Sequence, residues 1–399
     1  MSKAGSHRFD ILDGMMAGKR LDVRMRGIVD NIIFSKTEVW AYYEVDTGDC
    51  DFMSDASNAL MLSGMSQSFA GMMAGRDERV GMHLIVANTP VDIDEWESQS
   101  LEIAELWDMK TGFNKCFATQ VAALKSRRFM SRKIYIGVRM MGRHSVNSTD
   151  FRKTFAAGWE QVAQYAKDYV FAPAGIDDSS ISDKEIMNAK ETERTYYDSF
   201  NASAMKVRRP EAEELALLTK RTFYPCMPTP YLDAPANGRW GKGNMIRELG
   251  ADMALNRRWV EITQELGGEQ VKGYRATLTF SHFPETASPA APWIYMLQKM
   301  GLPFDMYARF ELVPSGETQD GGTGKTGNIG LEGTYRMILT SDDVSELERT
   351  VEIMRSSYAD NGITLTWTAG DQQDLMLESM PGDTLREQSF IQSSDIRLG

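Results

Sequence analysis

The feature that most restricts how this chain folds is a set of segments whose apolar side chains alternate with period two. Val39, Ala41, Tyr43 and Val45 form one row, with Trp40, Tyr42 and Glu44 opposite. Ile134, Ile136, Val138 and Met140 form a second row. Tyr274, Ala276, Leu278 and Phe280 form a third, set off by Arg275, Thr277 and Thr279. Met306, Ala308, Phe310 and Leu312 make a fourth, and Ile363, Leu365 and Trp367 a fifth. A strand sends successive side chains to opposite faces, so each segment reads as a strand. Alternation in place of a continuous apolar run points to antiparallel sheets with one face covered.

Helical spacing appears between these rows. Phe113, Phe117, Val121 and Leu124 recur at helical intervals, as do Phe151, Phe155, Trp159 and Val162. Near the C-terminus Ser341 is placed to cap a helix whose first turn holds Asp342 and Asp343. Val344, Leu347, Val351, Met354 and Tyr358 form its apolar stripe, and Asn361-Gly362 supplies a left-handed stop. The mixture predicts an α+β fold of two subdomains, each a mostly antiparallel sheet with packed helices. The first spans 1–207 and the second 208–383, with the strands at 134–140 and 274–280 in different sheets. Residues 224–244, 281–292 and 315–333 are rich in Gly and Pro and read as loops. The first and last of these are the expected sites of early proteolysis. Residues 384–399 carry only scattered apolar side chains and read as a linker. No repeat of fixed period is visible.

Composition excludes several classes. The net charge of -12 argues against a general nucleic-acid binder, whose affinity comes from Lys and Arg displacing counterions. Cys50, Cys116 and Cys226 lie far apart, without zinc-ligand spacing. The N-terminal MSKAGSHRFDILDGMM has no apolar core of the signal-peptide kind. No apolar stretch approaches the roughly 20 residues that cross a bilayer as a helix.

The chemistry-bearing motifs are sparse. Gly321-Gly322-Thr323-Gly324-Lys325-Thr326 suggests a phosphate loop, with Gly324, Lys325 and Thr326 as its nucleotide contacts. The position five before Gly324 is Gln319, however, and neither an apolar strand nor a good helix flanks the loop, so a surface loop is the better reading. His7, His83, His144 and His282 are scattered, and no pair shares a helix turn with a Glu. No catalytic set and no metal site is expected. Lys125, Arg127, Arg128, Arg132 and Lys133 form a basic cluster suited to acidic lipid headgroups or a partner protein. Cations stabilising a helix C-terminus are the better account of it. Lys206, Arg208 and Arg209 form a smaller cluster.

Taken in order, five segments are similar to the N-terminal region of the conjugative-transfer ATPases of type IV secretion systems, especially those of Gram-positive mobile elements. They are the aromatic strand Val39-Trp40-Ala41-Tyr42-Tyr43 followed by Phe52-Met53-Ser54, and the basic run leading into Ile134-Tyr135-Ile136-Gly137-Val138. Next come Arg208-Arg209-Pro210 with Glu214-Leu215 and Lys220-Arg221, then Tyr274–Phe280 with Phe283-Pro284 and Trp293. The last is Asp371-Gln372-Gln373 with Met380-Pro381-Gly382-Asp383. Together they cover most of the chain from about 36 to 390. The resemblance implies a docking and oligomerisation module that attaches an ATPase motor to the secretion channel, cytoplasmic and peripheral at the inner face of the cell membrane. It implies channel subunits, the motor domain and further copies of the chain as partners, and no direct contact with nucleic acid. ATP and Mg would belong to a motor following the Pro381-Gly382 hinge, so this chain needs no cofactor. It is then either part of a longer ATPase or a motorless scaffold regulating a separate one. The alternative of another class is a small nucleotide-binding enzyme built on the loop at 321–327.

Overall fold

The computed structural model describes residues 24–36, 38–46, 80–90, 130–141, 181–202, 206–227, 238–241, 252–282, 304–314 and 329–383, with short strand pieces between 7 and 20 and isolated positions elsewhere. Sixteen strands join one sheet. In chain order they are β1 (His7–Asp10), β2 (Met15–Met16), β3 (Lys19–Arg20), β4 (Met25–Val29), β5 (Ile32–Ser35), β6 (Val39–Val45), β7 (Val80–Pro90) and β8 (Met130–Met141). There follow β9 (Val207–Arg208), β10 (Arg239–Gly241), β11 (Asp252–Leu255), β12 (Val260–Leu266), β13 (Glu269–His282), β14 (Phe304–Pro314), β15 (Ile329–Ser341) and β16 (Thr364–Thr366). The helices described over their whole length are α1 (Asp183–Asn201), α2 (Ala212–Arg221), α3 (Val344–Ala359) and α4 (Gln372–Glu378).

Strand order across the sheet is β10-β4-β5-β6-β8-β7-β14-β15-β13-β12-β11-β1-β2-β3, with β9 added beside β6 and β16 beside β13. Neighbours pair antiparallel throughout, as the alternation predicted. The strands at 134–140 and 274–280, expected in different sheets, lie in this one sheet, because β7 and β14 pair along Val80–Val86 and bridge the two regions. Laid flat, fourteen strands on that path would span about 60 Å at roughly 4.8 Å each. Yet β3 ends at Arg20 and β4 begins at Met25, a separation that extended chain covers in at most ~18 Å. The sheet therefore curls until its ends nearly meet.

The curl has an inside and an outside. The inner face packs against α2 and α4. Ile28, Trp40, Tyr42, Ile85, Tyr135, Val260, Tyr307 and Ile338 meet Leu215 and Ala216 of α2 and Met376 and Leu377 of α4 there. Outside, α1 covers one part of the sheet with Ile186, Ala189, Tyr196 and Phe200. The other part is covered by α3 with Leu347, Val351, Met354 and Tyr358. Both faces of the central strands are consequently dry, and Val39–Tyr43 are all buried. The expectation of one covered face fails here. Aromatic side chains on both sides of β6 were the signal against it, since Trp40 and Tyr42 have no solvent to face.

Three local expectations are also revised. Ser341 ends β15, and its hydroxyl accepts the Asp343 amide at 3.2 Å. The helix cap is Asp343, whose carboxylate accepts the Glu346 amide at 2.8 Å. Residues 329–333, assigned to a flexible loop, are the start of β15 and pair with β14 through Pro314↔Ile329 to Phe310↔Gly333. Gly333 permits this approach, since a Cβ would collide with the Arg309 carbonyl and Phe310. Tyr224 and Met227, assigned to another loop, are buried in the inner core. Gly362 does take the left-handed stop, at φ 76.

Candidate functional site

The described residues hold their charged chemistry mostly inside the curl. Arg275, Arg309 and Arg336 project inward from β13, β14 and β15 and are almost wholly buried. Sequence alternation had set Arg275, Thr277 and Thr279 on the exposed side of their strand. Helix α4 covers that side instead, and all three are buried.

Each buried arginine spends donors on the chain that crosses above it. Arg309 donates to the carbonyls of Glu378 and Met380, both at 3.0 Å. Arg275 donates to the Thr222 carbonyl at 3.4 Å and to Ser379 Oγ at 2.5 Å. Burial lowers the Arg275 pKa to about 10, leaving it charged at neutral pH. Arg336 pairs with the Glu378 carboxylate at 3.5 Å, both fully buried, and donates to Thr279 Oγ1. Guanidinium suits this work because its forked donors reach several acceptors from one planar group.

Gln372 does the same with an amide. Its Nε2 donates to the Thr277 carbonyl at 3.1 Å, while its Oε1 accepts the Thr277 amide at 2.8 Å. The β12 pairing ends at Arg275 and the β16 pairing begins at Thr279. Gln372 thus supplies the rung that neither strand reaches, and leaves no buried backbone group of Thr277 unmet.

His83 stands beside this layer, opposite Arg309 in the β7·β14 ladder. Its Nδ1 lies 2.8 Å from Tyr42 Oη, which also accepts the Gly382 amide at 2.7 Å. The rings of Trp40, Tyr42 and Tyr307 surround the imidazole edge to face. Burial, then the Arg309 charge, holds the His83 pKa well below the usual histidine value. It is a neutral core histidine, and its Nε2 has no hydrogen-bond partner among the described residues.

Of the residues singled out in the sequence, Gly324, Lys325 and Thr326 lie outside the described residues, as do Lys125, Arg127 and Arg128. Arg132 and Lys133 fall on β8, where Lys133 meets Glu214 at 3.6 Å. Arg208 forks onto Glu214 at 2.6 and 2.8 Å and also pairs with Glu44. The Arg208 bond holds the Glu214 carboxyl down at about 2. Arg209 clasps Glu193 at 2.8 and 2.9 Å while its guanidinium lies 3.5 Å from the Tyr197 ring centroid. Asp30, Lys190, Arg194 and Asp198 complete a shallow surface groove around that pair.

Pro381 and Gly382 are buried. Gly382, at φ 74, lies against Ile33 and Ser35, and its carbonyl accepts the Ser35 hydroxyl. Chemically the layer fixes backbone: cations and amides hold the segment 378–382 against the sheet. Among the described residues no group of three His, Cys, Asp or Glu could hold a metal ion. None of the described helices is long and apolar enough to cross a membrane. The chain matches no protein-family model and no curated protein.

Proposed function

We propose that this chain is a docking and oligomerisation module for an ATPase of type IV secretion, with chemistry left to a separate motor. The observation that carries the reading is where the five family-like segments lie. Their described parts fall on β6, β8, β9 with α2, β13, and α4 with Gly382, while Phe52-Met53-Ser54, Phe283-Pro284 and Trp293 lie outside the described residues. All but β9, whose Val207 packs in the outer core, contribute to one interior, where buried arginines grip the segment 378–382. A chain segment gripped this way passes force to the sheet without swinging, which is what a motor's mount requires. Peripheral attachment at the inner membrane and contact with channel subunits belong to the same reading. So do the motor's ATP and Mg.

ATP turnover by the purified chain tests the proposal. We expect no hydrolysis above buffer, and equal, negligible binding of labelled ATP by the wild type and Lys325→Ala. Hydrolysis that Lys325→Ala abolishes would establish an enzyme built on the loop at 321–327. Co-purification with the inner-membrane channel subunits of its own secretion system tests the docking half. Failure of the intact chain to co-purify with those subunits would refute it.

A further inference from the structure

The sheet repeats its own topology. From one end, β4-β5-β6-β8-β7 runs first, second, third, fifth, fourth in chain order. From the other, β11-β12-β13-β15-β14 does the same, and the two runs meet where β7 pairs with β14. A helix follows the fifth strand in each run, α1 after β8 and α3 after β15. A short strand then pairs with the third, β9 on β6 and β16 on β13, and a second helix follows, α2 or α4.

The registers repeat as well. Strands β7 and β14 are each 11 residues, and laying one on the other makes the Leu84↔Ala308 pair its own image. The pair Met82↔Val138 then becomes Met306↔Met337, which is observed. Likewise Ala41↔Val138 becomes Leu278↔Met337, also observed. Core contacts follow. Tyr43 packs on Phe200 with ring centroids 5.1 Å apart, and their counterparts Phe280 and Tyr358 do so at 5.6 Å. Where sizes differ they differ in compensation. Tyr42 covers Gly137 in one half, and in the other Thr279 sits beneath Arg336.

The segment after each second helix leaves its own half. Thr222–Met227 cross to β12 and β13, where Gln264 and Arg275 donate to the Phe223 and Thr222 carbonyls, and Pro225 lies against Gly273. Glu378–Asp383 cross the other way, where the Gly382 carbonyl accepts the Ser35 hydroxyl and the Gly382 amide donates to Tyr42 Oη. The outer edges are exchanged too: β10, which precedes the second unit, pairs with β4, and β1, which precedes the first, pairs with β11.

We infer that the chain is an intramolecular dimer. Two copies of one folding unit meet across a self-complementary interface formed by the β7·β14 pair and two exchanged arms, so each unit's partner is a second copy of itself. Two-fold pairing of one patch with its equivalent is what isologous interfaces show, with the operator here relating parts of one polypeptide. The inference stands apart from the secretion reading and survives if that reading fails.

The test uses the full chain with a specific protease site inserted between 230 and 234 and cut after folding. The two pieces should co-elute at the position of the uncut chain with unchanged far-UV circular dichroism. In the uncut chain, hydrogen exchange of Val80–Val86 and Met306–Leu312 should be as slow as in β8 and β15. Pieces that separate under native conditions overturn the inference. So does exchange in β7 and β14 more than about tenfold faster than in β8 and β15, which would mark a weak junction between independent halves. The uncut measurement decides the matter if the cut chain precipitates.

Discussion

At the scale of the residue, the interior arginines set the sharpest tests. Arg336 and Glu378 are a fully buried pair. Removing one partner strands the other, so Arg336→Met should cost about 3–5 kcal/mol in urea unfolding. Arg336→Met with Glu378→Leu should recover much of that loss, because two apolar groups need no counter-charge. His83 carries a pH dependence whose sign is fixed by its environment. Its folded pKa lies below the ordinary value, so the unfolded chain takes up the proton first. Stability should therefore fall as pH drops below about 6.5, and His83→Gln should flatten that slope in thermal melts. Glu214 acts lower on the scale. Its folded pKa of about 2 lies below the ordinary 4.5, so its contribution is full above that range and disappears between the two. With its partner Arg208 about half exposed, we expect no more than roughly 1 kcal/mol, read as the difference between wild type and Glu214→Gln at pH 6.

At the scale of the element, the strands were legible and their surroundings were not. The rows at 39–45, 134–140, 274–280, 306–312 and 363–367 all fall on strands or at a strand's edge, since period two follows from backbone geometry alone. Leu347, Val351, Met354 and Tyr358 are buried on α3 as their spacing predicts. The candidate site escaped because a buried arginine and a surface arginine look alike in sequence. What separates them is the helix lying above Arg275, and α4 comes from nearly a hundred residues further on. A polar row beside an apolar one reads as solvent-facing unless the partner element is known. The same ambiguity hid the role of Gly382, whose neighbours Ile33, Ser35 and Tyr42 are remote in the chain. Tyr42→Phe should release that contact. Loss of the hydroxyl leaves the Gly382 amide without its acceptor, at about 1–3 kcal/mol. Exchange of the Gly382 amide should speed by at least tenfold while that of β8 stays slow.

At the scale of the whole molecule, the repeat was invisible because its spacing drifts. Equivalent residues are far more widely separated for Tyr43 and Phe280 than for Phe200 and Tyr358, since the first unit is longer between β7, β8 and α1. No fixed period can survive that change, and the equivalence lies in register. The short link from Arg20 to Met25 also ties the two ends of the sheet together, so thermal unfolding should appear as one transition seen alike by circular dichroism and by tryptophan fluorescence. Trp40 and Trp240 report on one end of the sheet, Trp259 and Trp367 on the other. The central β7·β14 pair has a further consequence during synthesis. At about 5–20 residues per second, β14 leaves the ribosome roughly 10–45 s after β7. Throughout that interval the nascent chain carries a long, apolar strand edge whose only correct mate has not been made. Neighbouring ribosomes on one message carry the same unpaired edge, a template for pairing between chains. Chaperone occupancy on nascent chains should accordingly rise once Pro90 emerges and fall after Pro314, a profile that ribosome-associated crosslinking would read directly.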